Sequence, residues 1–152
     1  QAQYEKVVPY AEAVTRHYPN SSKGYILKGD AFRGLERAQD AIVQYEAAIQ
    51  RGLDQEEGKV YWNLHTCYGH LKQYKKAYQA ISSFVNPFHP QAAYQDIYAL
   101  AITAANAGQT RDAVNFLKIA QLKLPPDDEE YSKKITENLA LLDPQGKRRY
   151  SQ

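Results

Sequence analysis

Residues 25–49 read YILKGDAFRGLERAQDAIVQYEAAI, and this stretch decides the fold. In its second half Ala41, Ile42, Tyr45, Ala48 and Ile49 fall at i, i+1, i+4, i+7 and i+8, a continuous apolar stripe on a 3.6-residue period. That spacing predicts a helix with one buried face. The first half predicts another helix, carrying Tyr25, Lys28-Gly29 and Phe32, with Gly34 marking the break between the two. Small residues (Gly29, Ala31, Ala41) let helix axes approach, while Tyr25 and Phe32 fill the space between pairs.

Working outward, the same arrangement returns twice. Residues 61–84 read YWNLHTCYGHLKQYKKAYQAISSF and repeat it as Tyr61, Leu64-His65 and Tyr68, then Ala77, Ile81 and Phe84, closing at His89-Pro90. Residues 97–120 read IYALAITAANAGQTRDAVNFLKIA and give Ile97, Leu100-Ala101 and Ala104, then Ala113, Leu117 and Ala120, closing at Pro125. Ala41, Ala77 and Ala113 are each 36 residues apart, and Val7 lies 34 before Ala41. Val7, Ala11, Val14 and Pro19 make a leading half unit that holds only a second helix. Asn106 and Gly108 mark a further break, and Pro19, Pro90 and Pro125-Pro126 are expected to stop the second helices.

This pattern resembles the tetratricopeptide repeat family, in which an aromatic, a Leu-Gly pair and a Tyr on the first helix precede Ala, Phe and a closing Pro on the second. The resemblance covers about residues 4 to 125. It departs from the family at His65 and Ala101 in place of Gly, Lys28 in place of Leu, and Ala104 in place of the aromatic. It implies an all-α, right-handed helical solenoid of helix-turn-helix repeats. The expected layout is one domain: a half repeat at about 4–19, repeats at about 22–55, 58–90 and 94–125, a capping helix at about 127–142 and a basic tail at 146–152. Asp127-Asp128-Glu129-Glu130 places carboxylates in the first turn of the cap, where they complement the helix dipole, and Tyr131, Ile135, Leu139 and Leu142 form its apolar stripe. Pro9 is expected to begin or kink the first helix.

Composition narrows the function classes. The 152 residues are 43% hydrophobic and 24% charged with a net charge of +2, the balance of a globular domain with no long-range field to recruit nucleic acid or anionic lipid. No stretch approaches the roughly 20 apolar residues of a membrane span, so no direct membrane insertion is expected. Cys67 is the only cysteine, which excludes an intrachain disulfide and a thiolate zinc cluster; it lies on the packed side of its helix and is expected to be an inert buried thiol. His17, His65, His70 and His89 show no metal-ligand spacing. No phosphate loop, G-x-S-x-G elbow or paired carboxylates are present, Asp30 and Glu56 included, so the reading has no catalytic residue, metal or cofactor. The tail Gly146-Lys147-Arg148-Arg149-Tyr150 is read as a solvated terminus rather than a nucleic-acid site.

What remains is a protein-interaction scaffold. In the family this sequence resembles, the first helix of each pair lines the concave face. With packing positions set aside, that implies a groove made of Lys23, Ile26, Asp30 and Arg33; then Lys59, Trp62, Asn63, Thr66 and His70; then Gln95, Tyr98, Ile102 and Asn106. Large aromatics beside Arg33, Lys59 and His70 suit a peptide or protein partner, since Trp, Tyr and Arg dominate interface hot spots. The family's carboxylate clamp is not carried over. Asn63 matches its middle position, but Ile26 and Asp30, and Gln95 and Ala99, stand where the other ligands belong. The alternative is self-association through the N-terminal end around Pro9. Richness in Tyr and Gln, and a start at Gln1-Ala2-Gln3 that fits either signal cleavage or a piece of a longer chain, tilt the expected location toward the bacterial periplasm or cell envelope rather than the cytoplasm.

Overall fold

The computed structural model describes residues 1–144 and Gly146; the rest of the basic tail lies outside them. Eight α-helices and no strand occur among the described residues. By contact they divide into two compact units, Gln1–Ala80 and Ile81–Gln152.

The first unit holds α1 (Ala2–His17), α2 (Ser22–Gly34), α3 (Ala38–Gln50), α4 (Lys59–His70) and the start of α5 (Tyr74–Phe84), with a 3-10 turn at Gln55–Gly58. The α3 stripe read from the sequence is its centre: Ala41, Tyr45 and Ala48 are fully buried and Ile42 nearly so. Phe32, Val60, Leu64, Cys67, Tyr68 and Ala77 close around it. The ring of Tyr45 fits because Gly29 faces it without a side chain; a Cβ on Gly29 would stand 2.6 Å from Tyr45 Cε1. In the second unit, α6 (Tyr94–Asn106) and α7 (Thr110–Lys123) bury Ile97, Leu100 and Ala104 against Val114, Leu117 and Ala120. There α8 (Glu129–Leu142) contributes one buried residue, Ile135. Asp128 caps α8 by accepting a hydrogen bond from Tyr131 N–H at 3.0 Å.

The turns between paired helices repeat as closely as the core does. At each, an N–H beyond the turn returns to a carbonyl of the first helix: Arg37 to Phe32 (2.8 Å), Gln73 to Tyr68 (2.9 Å) and Gln109 to Ala104 (2.8 Å). The residue just before each donor takes a left-handed conformation, Glu36 at φ 59°, Lys72 at 57° and Gly108 at 82°.

Gly34 closes α2, at the break read from the sequence, and its lack of a side chain makes room for the Tyr4 ring, 2.5 Å from where a Cβ would stand; the left-handed residue of that turn is Glu36. Two sequence expectations are revised. Helix α5 ends at Phe84, before Asn86-Pro87 and well ahead of Pro90. Helix α1 begins at Ala2 and continues through Pro9, so the helix does not begin at the proline; Pro9 lacks the N–H that would have bonded the Glu5 carbonyl.

Candidate functional site

In the first unit α2 and α4 present two hollows. One, of about 370 Å³, has Ile26, Leu27 and Val60 as its apolar floor, and Lys23, Asp30, Lys59 and Asn63 among its polar lining. The other, of about 380 Å³, is lined by Arg33, Thr66 and His70 with Glu36, Ala38 and Cys67. Eight of the nine residues expected from these two helices therefore line one hollow or the other.

A hydrogen-bonded cluster joins them. The Tyr45 hydroxyl donates to Asp30 Oδ1 at 2.6 Å and Asn63 Nδ2 donates to the same oxygen at 3.1 Å. Arg33 Nε donates to the Tyr45 oxygen at 3.3 Å, and another guanidinium nitrogen stands 4.0 Å from Asp30 Oδ1. Asn63 is only 8% exposed, so its amide is spent on Asp30 rather than offered to solvent. Burial works against the Arg33 charge, but the Tyr45 hydroxyl and the Asp30 carboxylate outweigh it and raise its pKa. Burial, reinforced by Asp30, also pushes the Tyr45 phenol well up, so it stays a neutral donor. Burial raises the Cys67 thiol as well, the condition of an unreactive cysteine.

A second carboxylate is fixed at the rim. Glu57 Oε2 accepts from the Ser22 hydroxyl at 2.7 Å and from the Asp54 N–H at 2.9 Å, a capping box that seats the 3-10 turn beside the start of α2. Glu56 lies next to it and lines the same hollow.

Trp62, the remaining residue expected on α4, lines neither hollow. Its ring is half-buried and meets His65 edge-on at 5.3 Å between centroids. Burial lowers the His65 pKa, and a backbone hydrogen bond with Trp62 offsets part of that.

In the second unit, Gln95 and Asn106 are exposed and Ile102 is half-buried. Tyr98 is engaged within the chain: its oxygen accepts from Asn138 Nδ2 at 3.2 Å and its ring meets Tyr131 at 5.4 Å. Tyr94 stands on the other side of Tyr131 and donates to Asp128 at 2.5 Å, which raises its pKa to about 12.

Among the described residues there is no group of three or more His, Cys, Asp or Glu side chains placed to hold a metal ion, and no helix long and apolar enough to cross a membrane.

No family model matches the sequence, and no curated protein is similar to it in sequence. Solved structures do match. The chain superimposes on the MamA RS-1 ArsTM double mutant with a TM-score of 0.76 at 16% identity, over 93% of this chain and 77% of that one. It matches YrrB, described as a TPR protein with an unusual peptide-binding site, with a TM-score of 0.72 at 14% identity, over 95% and 80%. It also matches the nearly identical TPR-like repeats of a putative kinesin light chain from Podosopora anserina, with a TM-score of 0.69 at 17% identity, over 97% and 81%. The fold is that of a tetratricopeptide repeat solenoid.

In the repeat layout expected from the sequence, α2, α4 and α6 stand as first helices and α3, α5 and α7 as second helices. Sequence reasoning reached the α2 and α4 residues through that alternation but missed two kinds of participant. Tyr45 belongs to a second helix and reads as pure core, because a stripe assigns a face and not where a ring's hydroxyl emerges. Glu56 and Glu57 sit in a connection whose length follows no repeat pattern. A Ser22 hydroxyl near the start of a helix was the one available hint of an acidic partner.

Proposed function

We propose that the chain is a non-catalytic interaction scaffold whose α2 and α4 face receives a segment of another polypeptide. The observation that carries this reading is the pair of hollows on successive first helices, with an apolar floor and a fixed polar cluster between Asp30 and Arg33. Such a surface offers the combination that peptide recognition uses, apolar seats for side chains and oriented polar groups that set register. YrrB, which shares the fold, is described as having a peptide-binding site. On this reading Lys23, Ile26, Asp30, Arg33, Lys59, Thr66 and His70 form the contact surface of the first unit, with Asn63 behind it holding Asp30; Gln95, Ile102 and Asn106 are proposed separately as contacts on α6 of the second unit. Trp62 supports the α4 surface from a half-buried position, and Tyr98 is half-buried within the second unit.

The test is site-specific photo-crosslinking in the source cell. A benzophenone side chain at Leu27, on the floor of the first hollow, is expected to capture a partner; the same group at Val43, 52% exposed on α3, is not. Capture from Val43 alone would place the partner on the second helices and overturn the proposal.

Self-association is a second reading, favoured by Tyr10, which is 65% exposed on α1 beside half-buried Val7 and Val14. It predicts a mass that rises with protein concentration and returns to that of a monomer in Tyr10→Glu.

A further inference from the structure

The hollow between α2 and α4 holds carboxylates that neutral groups orient and no cation closely satisfies. Asp30 receives both its donors, Tyr45 and Asn63, on Oδ1, and Glu57 receives both of its donors on Oε2. Each carboxylate therefore has one oxygen pinned in place and a second outside those bonds. The nearest cation to Asp30 is Arg33, 4.0 Å from the oxygen already occupied. Lys23 and Lys59 line the same hollow, yet neither forms an ion pair with Asp30, Glu56 or Glu57 among the described residues. Beneath these groups Ile26, Leu27 and Val60 supply the apolar floor.

Resting on the peptide-binding reading above, we infer that the segment seated here carries an arginine, its aliphatic stem on Ile26, Leu27 and Val60 and its guanidinium received by Asp30. Arginine fits better than lysine for two reasons. Its planar fork can address the unengaged carboxylate oxygen while another N–H reaches a neighbouring acceptor such as Glu56 or Glu57. Its guanidinium is also more weakly hydrated, so it gives up less water on leaving solvent for a half-buried rim. The stem covers apolar surface while the head stays at the polar edge, as long cationic side chains do elsewhere. Lys23 and Lys59 at the rim repel a second positive charge. The preferred segment therefore has one arginine among apolar and neutral residues, not a polybasic run. Tyr45 is a positioning residue: it touches no ligand and fixes the Asp30 rotamer from the core.

The test pans a phage library of random peptides, each about a dozen residues long, against the full chain, then measures the affinity of the most enriched peptide by fluorescence anisotropy. Enriched sequences are expected to share a single arginine flanked by apolar residues. Replacing that arginine with citrulline, which keeps shape and removes charge, should weaken binding to the wild type by about tenfold. Against Asp30→Asn the arginine and citrulline peptides should bind within about twofold of each other, a coupling that a merely structural role for Asp30 would not produce. Circular dichroism checks that the variant keeps its helicity. If it does not, Glu56→Gln, at an exposed side chain outside the hydrogen-bonded cluster, serves instead and should narrow the arginine preference. Enriched peptides without arginine, or an undiminished preference in whichever variant keeps its helicity, overturn this inference while leaving peptide binding intact. Enrichment of no peptide overturns the binding reading as well.

Discussion

Gly29→Ala tests whether the core and the candidate site are built together. Alanine is the better helix former by about 1 kcal/mol, so an open position in α2 would gain from the change. Gly29 is not open. A Cβ there would stand 2.6, 2.7 and 3.1 Å from three atoms of the Tyr45 ring, and Tyr45 is fully buried, so the ring can retreat only by displacing its neighbours. Overpacking of this kind costs about 1–3 kcal/mol. Retreat also draws the hydroxyl away from Asp30, where a bond to a charged acceptor is worth about 1.5–3 kcal/mol. The lower figure or less applies, because the Asp30 side chain is 43% exposed and water can replace the lost donor. Setting about 2 kcal/mol of crowding and about 1 kcal/mol of lost hydrogen bonding against the propensity gain leaves a destabilisation of about 2 kcal/mol. Urea unfolding followed by circular dichroism measures it. Gly69→Ala is the control, since nothing lies within 4 Å of a Cβ at Gly69; it should stabilise by about 0.5 kcal/mol. In a Tyr45→Leu background, where the side chain is shorter, the Gly29 penalty should largely disappear. Equal effects at Gly29 and Gly69, or a Gly29 penalty that survives unchanged in the Tyr45→Leu background, would refute the reasoning.

Lys72→Gly should stabilise by about 1 kcal/mol in the same assay, because Lys72 holds a left-handed φ of 57° that glycine adopts without strain; Gly108→Ala, at φ 82° in the corresponding turn, should destabilise by a similar amount. Ile135→Ala removes the one buried side chain of α8 and should cost about 2–4 kcal/mol, with amide exchange fastest in α8. His65 gives a pH dependence: its pKa is below the ordinary 6.5 because burial disfavours the charged ring, so the unfolded chain takes up a proton first as pH falls. Stability present above pH 6.5 should drain away below it until the folded ring also protonates, and His65→Gln should lack that loss between pH 6.5 and the carboxylate range.

How much of this was legible in the sequence depends on whether a position's job is periodic. The stripes were readable because Ala41, Ala77 and Ala113 must each be small where helices cross, and all three are buried at 1% exposure or less. The breaks at Gly34, Asn106 and Gly108 were readable too, but the left-handed residues were not all so, although they repeat strictly at positions 36, 72 and 108. Only Gly108 carries the residue that a left-handed backbone favours, while Glu36 and Lys72 adopt it under the constraint of the helices on either side. Gly34 ends α2, as the break read there implies, and its further role in accommodating Tyr4 follows no local pattern.

The same distinction separates scaffold from site. The family resemblance implied a groove position for Asp30, but its chemistry is set by Tyr45 fifteen residues on and Asn63 thirty-three residues on. No local pattern links those three. They meet because Gly29 lets the Tyr45 ring pass beneath α2 and because α4 packs close enough to bury Asn63. A repeat fold keeps the helices in place whatever occupies position 30, so that position is free to differ where function requires it. An aspartate there, supported from a fully buried tyrosine, departs from the clamp-bearing pattern of the family this chain resembles, and on the inference drawn above it reverses the charge of the ligand group.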